Sequence, residues 1–253
     1  MTALDRETLR ELAEDGLTPV PEGGGFSRIV EARYVLEIGP EPDPGMNIAH
    51  RLRIGDDEVE QVLAEVRSRF QDVGRRRATW EVTGASRPSG LVERLRAQGM
   101  VPDDPPQLLA LACTREPAGP ATGIEVERVQ SDAQYEEVRA IFAEGDGWTP
   151  GDDWLRGGGQ VTRYLARIDG RAVATADISW LEDERAAFLG GALTLPQYRG
   201  RGAYRSLVHR RWQDAGERGR SVLVTQSEPM SQPILLRLGF EVVGEISVLA
   251  DSF

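Results

Sequence analysis

The sequence predicts an α/β (α+β) protein built from two successive domains of similar design, and three observations carry that prediction. At 253 residues the chain is long enough for two domains of ordinary size, each with its own core. Residues 116–123, EPAGPATG, form a Pro- and Gly-rich stretch of small residues between two regions of regular apolar periodicity. On either side of that stretch, helical and strand-like periods follow one another in a matching order. The boundaries expected are therefore 1–116 and 123–253, with 117–122 as a linker.

In the first part, Val59, Val62, Leu63, Val66 and Phe70 recur at helical spacing behind the acidic start Asp56-Asp57-Glu58. A short strand follows over 78–83. Pro88-Ser89-Gly90 then opens a second helix with Leu91, Val92 and Leu95 on one face, stopped by Gly99 and followed by Met100. Residues 108–113 close this part as a strand. In the second part, 124–129 reads as a strand and 133–144 as a helix that turns Val138, Ile141 and Phe142 inward. Strands over 163–168 and 172–180 are joined by Asp169-Gly170, a pair suited to the positive φ angles of a type I′ turn. Residues 186–195 form a third strand, antiparallel to these. From Gly202 the period changes to that of a helix carrying Tyr204, Leu207, Val208, Trp212 and Ala215, ending near Gly219. A buried strand (221–225), a short helix (231–238) and a closing strand (240–249) complete the chain.

Each half thus runs helix, short strand, Pro-containing helix start, Gly, large apolar residue, final strand. Residues 83–99 of one half match 225–239 of the other in length within a few positions. That order reads as a diverged internal duplication. Helix–strand–helix–strand is also a common α/β pattern.

Composition narrows the function. Apolar residues make up 40% of the chain and charged residues 28%, and no apolar run approaches the ~18 residues of a membrane span. No membrane association is expected. The amphipathic start MTALDRETLRELAEDG lacks the apolar core and cleavage site of a secretory signal, which suggests a cytoplasmic protein. Cys113 is the sole cysteine, and no Cys/His cluster has zinc-ligand spacing, so no disulfide or metal is expected. A net charge of −11 argues against nonspecific nucleic-acid binding, which needs a basic footprint, and suits a small cationic partner.

The chemistry lies in GGALTLPQYRGRGAYRSLV, which begins at Gly190. A strand runs into Pro196, which cannot donate to a ladder, then into a turn with Gly200 and Gly202, then directly into a helix. The glycines let backbone approach a bulky anion, and the helix start offers unpaired N–H groups and a positive dipole end. Arg199, Arg201 and Arg205 add charge at the same point. A P-loop is excluded by the lack of Lys-Ser or Lys-Thr after the turn, and a dinucleotide fingerprint by the missing third glycine.

Gln197-Tyr198-Arg199-Gly200-Arg201-Gly202 resembles the Q-x-x-G-x-G signature of the GNAT superfamily of N-acetyltransferases, and LLRLGF at 235–240 resembles that family's later segment ending in Gly-Phe. The resemblance covers roughly residues 122–253. It implies two GNAT-like domains, each a mixed, mostly antiparallel central sheet flanked by helices, with acetyl-CoA as acyl donor and a small amine as acceptor. Carried onto this chain, it assigns the backbone of Leu193, Thr194 and Leu195 to the pantetheine amides. The N–H groups of Arg201, Gly202, Ala203 and Tyr204, with Arg199 and Gly200, fall to the pyrophosphate. Ser231 falls near the cofactor arm, although it equally reads as an ordinary helix N-cap. Where many members carry a tyrosine that protonates the leaving thiolate, this chain has Leu235, and Tyr204, Tyr198, water or no acid at all remain open.

In the first half the position matching the Gly-rich turn is Arg53-Ile54-Gly55-Asp56-Asp57-Glu58. Three carboxylates at a helix start cap the helix and repel a pyrophosphate, so this half is expected to bind no CoA. For the acceptor, Asp146 and Trp148, with the neighbouring Gly147, Asp152, Asp153 and Trp154, form an acidic and aromatic cluster able to hold a cation. The same residues read at least as well as a solvated acidic loop whose tryptophans cap the core. Asp177, and after it Glu184, are the candidate general bases. His209 is expected to be exposed, and no Ser, Cys or His arrangement suggests a covalent nucleophile. The alternative to turnover is a CoA-binding regulatory or structural module.

Overall fold

A computed structural model describes residues 4–18, 25–39, 46–156 and 161–253. Met1 to Ala3, the first residues of the amphipathic start, lie outside that range. Asp5 caps α1 (Arg6–Asp15) by accepting the Thr8 N–H at 2.8 Å. The first half continues with β1 (Ser27–Val30), β2 (Val35–Ile38), β3 (Asn47–His50), α2 (Val59–Asp72), β4 (Arg77–Thr83), α3 (Leu91–Ala97) and β5 (Val101–Cys113). The second half runs β6 (Glu125–Arg128), α4 (Asp132–Gly145), α5 (Asp152–Arg156), β7 (Val161–Ile168), β8 (Arg171–Trp180) and β9 (Ala186–Thr194). It ends with α6 (Ala203–Glu217), β10 (Val222–Ser227), α7 (Gln232–Arg237) and β11 (Glu241–Ser252).

Local chemistry places these elements where the periodicity puts them. The five apolar residues that mark α2 are its buried residues. Ser131 and Gln134 form a reciprocal capping box at the start of α4. Asp169 and Gly170 have φ of 51° and 77°, both positive as a type I′ hairpin turn requires.

The described strands form one mixed, mostly antiparallel sheet in the order β1-β2-β3-β4-β11-β5-β10-β9-β8-β7-β6. The halves repeat one another: β2–β3 and β8–β9 are antiparallel pairs, and β3–β4 and β9–β10 are parallel pairs joined through α2 and α6 respectively. Their last strands are exchanged. β5 closes the first half in sequence but pairs with β10, while β11 pairs with β4. The two exchanged strands also pair with each other, from Glu241↔Ala112 to Ala250↔Val101. The sheet therefore crosses the 117–122 segment without an edge.

Side-chain alternation explains why β5 is at home in the middle. Leu111 and Cys113 enter the core under α6 and α7, whereas Ala110 and Ala112 face α1 with Leu12 and Ala13. Small residues on that face let α1 settle over the seam between the halves.

Candidate functional site

β9 and β10 run side by side only from Ala186–Phe188 against Val222–Val224, then part. The cause is a bulge in β9. Thr175 pairs with Leu193 and Asp177 with Gly190, so β9 spends one residue more than β8 between these pairs. Gly191 sits in the bulge at φ 55°, and a Cβ there would lie 2.6 Å from Asp177 Cγ. Only glycine fits. The bulge bends β9 and leaves its edge toward β10 without a strand partner over the residues that follow. Between the splayed strands lies a cleft of about 670 Å³, walled by Leu189–Thr194 on one side and by Thr225, Gln226, Ser231 and Ile234 on the other.

One end of the cleft meets the Gly-rich turn. Gly200, at φ 76°, faces open space, whereas a Cβ on Gly202, at φ 92°, would overlap the Ala121 methyl. Gly202 is the N-cap of α6 and supplies no side-chain cap. The first helical bond is Ser206 N–H to Gly202 at 3.0 Å, so the N–H groups of Ala203, Tyr204 and Arg205 have no intrahelical acceptor. Uncapped donors and a positive dipole end at the mouth of a cleft form an anion site.

The matching place in the first half is filled. Glu58 turns its carboxylate onto the Gly55 N–H at 3.0 Å, and Arg94 is tied to Asp56 at 2.7 Å. Beyond β3 the strands are held together where β9 and β10 part. Arg53 bridges Arg87, with Ile54 N–H to the Arg87 carbonyl at 3.1 Å and Arg87 N–H to the Leu52 carbonyl at 3.0 Å.

A GCN5-related N-acetyltransferase from Kribbella flavida superimposes on this chain with a TM-score of 0.72 over 90% of both chains, at 23% identity. A tandem GNAT protein from the clavulanic acid biosynthesis pathway matches 98% of this chain and 93% of its own, with a TM-score of 0.60 and 15% identity. The fold is that of the tandem GNAT N-acetyltransferases. A GCN5-related N-acetyltransferase from Sphaerobacter thermophilus shares it over 97% of this chain and 84% of its own, with a TM-score of 0.58 and 17% identity. No family sequence model matches the chain, and no curated protein sequence matches it.

Within this GNAT fold, Leu193, Thr194, Arg199, Gly200, Gly202, Ala203, Tyr204 and Ser231 come together on the cleft. Two of the residues expected there do not. Leu195 is buried, with its N–H bonded to the Val173 carbonyl and its carbonyl accepting the Tyr198 N–H, so it does not line the cleft. Arg201 lies outside the cleft lining and stacks 5.5 Å from the Tyr198 ring centroid. Ser231 is not a side-chain cap; its hydroxyl donates to the Glu228 carbonyl at 3.1 Å. Leu235 is in the core with Leu238 and Phe240, and Ile234 and Arg237 are the α7 residues that reach the cleft.

Neither candidate base stands on the cleft. Asp177 is 5% exposed and gives its carboxylate to Arg163, whose guanidinium also donates to the Leu155 and Trp154 carbonyls and stacks on the Trp154 ring. Burial pushes the Asp177 carboxyl up, against the pull of Arg163 and Arg211. The pair fastens α5 to β7 and β8. Glu184 is exposed in the turn before β9, at the opposite end of that strand from the Gly-rich turn. Glu228 is the one carboxylate among the described residues that lines the cleft.

The acidic and aromatic cluster divides. Trp148 and Trp154 meet edge to face at 4.7 Å and both pack on Phe142 at 5.3 Å, which is the arrangement of a core cap. Asp146 is exposed and accepts the Trp148 N–H at 2.9 Å. His209 is buried, contrary to expectation, 3.9 Å from Glu116. The segment between the halves lies along α6 there, with Ala121 N–H on Ser206 and Arg205 on the Pro120 carbonyl.

Sequence reasoning also passed over Arg211, a fully buried residue on the cleft. It stands four residues from Leu207 and four from Ala215 on an inward stripe of α6. A charge on an apolar stripe is the signal that could have found it.

Proposed function

We propose that residues 123–253 transfer an acetyl group from acetyl-CoA to a primary amine of a small molecule. Residues 1–116 then form a structural half that binds no CoA, and 117–122 link the two. The splayed cleft that ends on the uncapped start of α6 carries the reading. Pantetheine is laid along the free edge of β9 at Leu193 and Thr194 as an added ladder partner, and the pyrophosphate sits on Gly200, Gly202, Ala203 and Tyr204 with Arg199 beside it. Unpaired β9 N–H groups at the bulge supply donors for the oxyanion of the tetrahedral intermediate. The protein acts in the cytoplasm.

The acceptor approaches from the face of the sheet opposite α6. There the end of α4 presses on β9, since a Cβ on Gly145 would lie 2.7 Å from Leu193 Cδ2. Exposed Asp146 brings negative charge to that side for an ammonium group. The first half braces the other wall, because Gln226 donates to the carbonyls at the end of α1, at 3.4 Å to Ala13 and 3.2 Å to Glu14. With Asp177 bound to Arg163, the attacking amine arrives neutral, its proton already lost to water.

The engagement of Asp177 also favours a second reading, a CoA-binding module without turnover. Calorimetry with CoA is expected to give one site per chain. Thiol release from acetyl-CoA, followed over a panel of amines, is expected to rise with pH toward the pKa of the accepted amine. Two CoA sites, or none, would overturn the assignment of the halves, and thiol release absent with every amine despite CoA binding would favour the module.

A further inference from the structure

We propose, building on the acetyl-CoA reading, that Arg211 is a catalytic residue whose free Nη2 receives the negative charge of the CoA thiolate as the thioester C–S bond breaks. Arg211 is 0% exposed yet lines the cleft. Its Nε donates to the Leu207 carbonyl at 3.1 Å and its Nη1 to the Asp177 carbonyl at 2.7 Å, while Nη2 has no partner. Burial lowers the Arg211 guanidinium, against the pull of Tyr204, Tyr164 and Asp177, but an arginine stays protonated inside proteins. A buried cation whose nearest carboxylate, Asp177, is already bound by Arg163 is costly, and such groups gather where an anion is formed or bound.

The neighbours do not supply that anion. Tyr164 on β7 donates its hydroxyl to Asp214 at 2.5 Å. The Asp177 carboxylate on β8 is held by Arg163. Tyr204 on α6, with its ring centroid 5.9 Å from the Arg211 guanidinium carbon, is kept neutral because burial raises its hydroxyl against the pull of Arg211. At the cleft wall and mouth the charged groups are Arg199, Arg205, Glu228 and Arg237.

Position and donor count point to the sulfur. Arg211 lies eight residues along α6 from Ala203, two helical turns or about 12 Å deeper than the pyrophosphate end. Its Nη1 reaches the carbonyl of the residue paired with Gly190, beside the bulge. That places Nη2 toward the thioester end of the pantetheine arm. A carboxylate prefers two parallel donors from one guanidinium, but Nε and Nη1 are spent on carbonyls, and the one nitrogen left suits a single-atom anion. Leu235, in the core, supplies no acid in its place.

In the step itself the neutral amine nitrogen bonds to the thioester carbon, giving a tetrahedral oxyanion. That intermediate collapses as the C–S electron pair moves to sulfur. The nitrogen proton passes to cleft water, and the thiolate leaves paired with Nη2 and is protonated by solvent on release.

The test is the ionisation of bound CoA, read as thiolate absorbance across a pH series for the wild type, Arg211→Met and Arg211→Gln. A free thiol titrates near ~8.5, and a cation within ~4–6 Å lowers such a group by about 1–3 units. The bound thiol of the wild type is expected to titrate at least one unit, tenfold in ionisation, below free CoA, and to return to the free value in either variant. Desulfo-CoA is expected to bind the wild type and the folded variant equally, which separates the charge effect from damage to the cleft. An unperturbed thiol in the wild type, or a lowered one that survives both substitutions, would overturn the role of Arg211 while leaving CoA binding intact. Succinyl-CoA binding tenfold tighter than acetyl-CoA, lost with Arg211, would reassign Nη2 to an acyl carboxylate and overturn it too. Failure to bind CoA at all would overturn both readings.

Discussion

Gly191→Ala tests the mechanical origin of the cleft. Two costs follow from the structure. The residue is in the left-handed region at φ 55°, where a Cβ costs roughly 1–2 kcal/mol. The added methyl would also lie 2.6 Å from Asp177 Cγ, and the Asp177 side chain is buried with Arg163. Relief requires displacing that carboxylate, and breaking a buried pair costs about 3–5 kcal/mol. The substitution is therefore expected to destabilise by about 4–7 kcal/mol if the pair is broken outright, with less where it only stretches. Urea unfolding followed by tryptophan fluorescence measures this. In an Asp177→Ala background the obstructing atoms are gone, so the same change is expected to cost only the backbone part, about 1–2 kcal/mol. The double-mutant cycle isolates the difference, about 3–5 kcal/mol of coupling. An equal cost in both backgrounds would refute the claim that Asp177 dictates glycine in the bulge.

The two glycines of the turn are expected to separate by role. Gly200→Ala, with open space around it, should cost about 1 kcal/mol of stability and weaken CoA binding in calorimetry, whereas Gly202→Ala should lower the melting temperature further because its methyl meets Ala121; the reverse order would contradict the geometry. Glu14 is 1% exposed, and burial raises its carboxyl against the pull of Arg10. The sign follows from linkage. A raised folded pKa contributes stability below the ordinary carboxylate range, and that stability is lost as pH rises through the folded value. Glu14→Gln is thus expected to gain on the wild type in thermal melts from pH 4 toward pH 7, each 1 kcal/mol reading as about 2–4 °C at this length; a constant difference across that range would contradict it. Fragments 1–122 and 123–253 are each expected to be poorly soluble alone and to combine when co-expressed, because each carries the strand that closes the other; a soluble 123–253 with full CoA affinity would contradict the exchange.

What was legible in the sequence is what neighbouring residues decide. The stripe of α2, the Asp169-Gly170 turn and the Gly-rich turn before α6 depend on spacing and backbone freedom within a few positions, and all three stand as read. The bulge at Gly191 was not legible, because its cause is Asp177 on the adjacent strand. Nor was the engagement of Asp177 itself, since an acid on a small apolar strand looks the same whether it faces substrate or Arg163. His209 is read as exposed because the chain that runs along α6 there is the linker between the halves, whose course no local pattern sets. The strand exchange is the largest case. β5 and β11 have the apolar content of central strands, but nothing in either segment says which partner is right. That choice belongs to the whole sheet.

The exchange bears on how an open site can be stable at all. Parting β9 from β10 leaves backbone groups without ladder bonds, each worth about 0.5–1.5 kcal/mol net when made. The first half makes the corresponding bonds through Arg53, Ile54 and Arg87, and Glu58 satisfies Gly55 from within. Its closed form costs nothing of this kind. Because β11 and β5 each sit between a strand of one half and the other exchanged strand, the open half cannot unravel at its last strand without also stripping the closed half of its neighbour. Packing of α1 across β10, β5 and β11 adds to the same bond. A duplicated fold held in this way allows one copy to keep a splayed, under-bonded cleft while the other, fully bonded, fixes the strands that frame it.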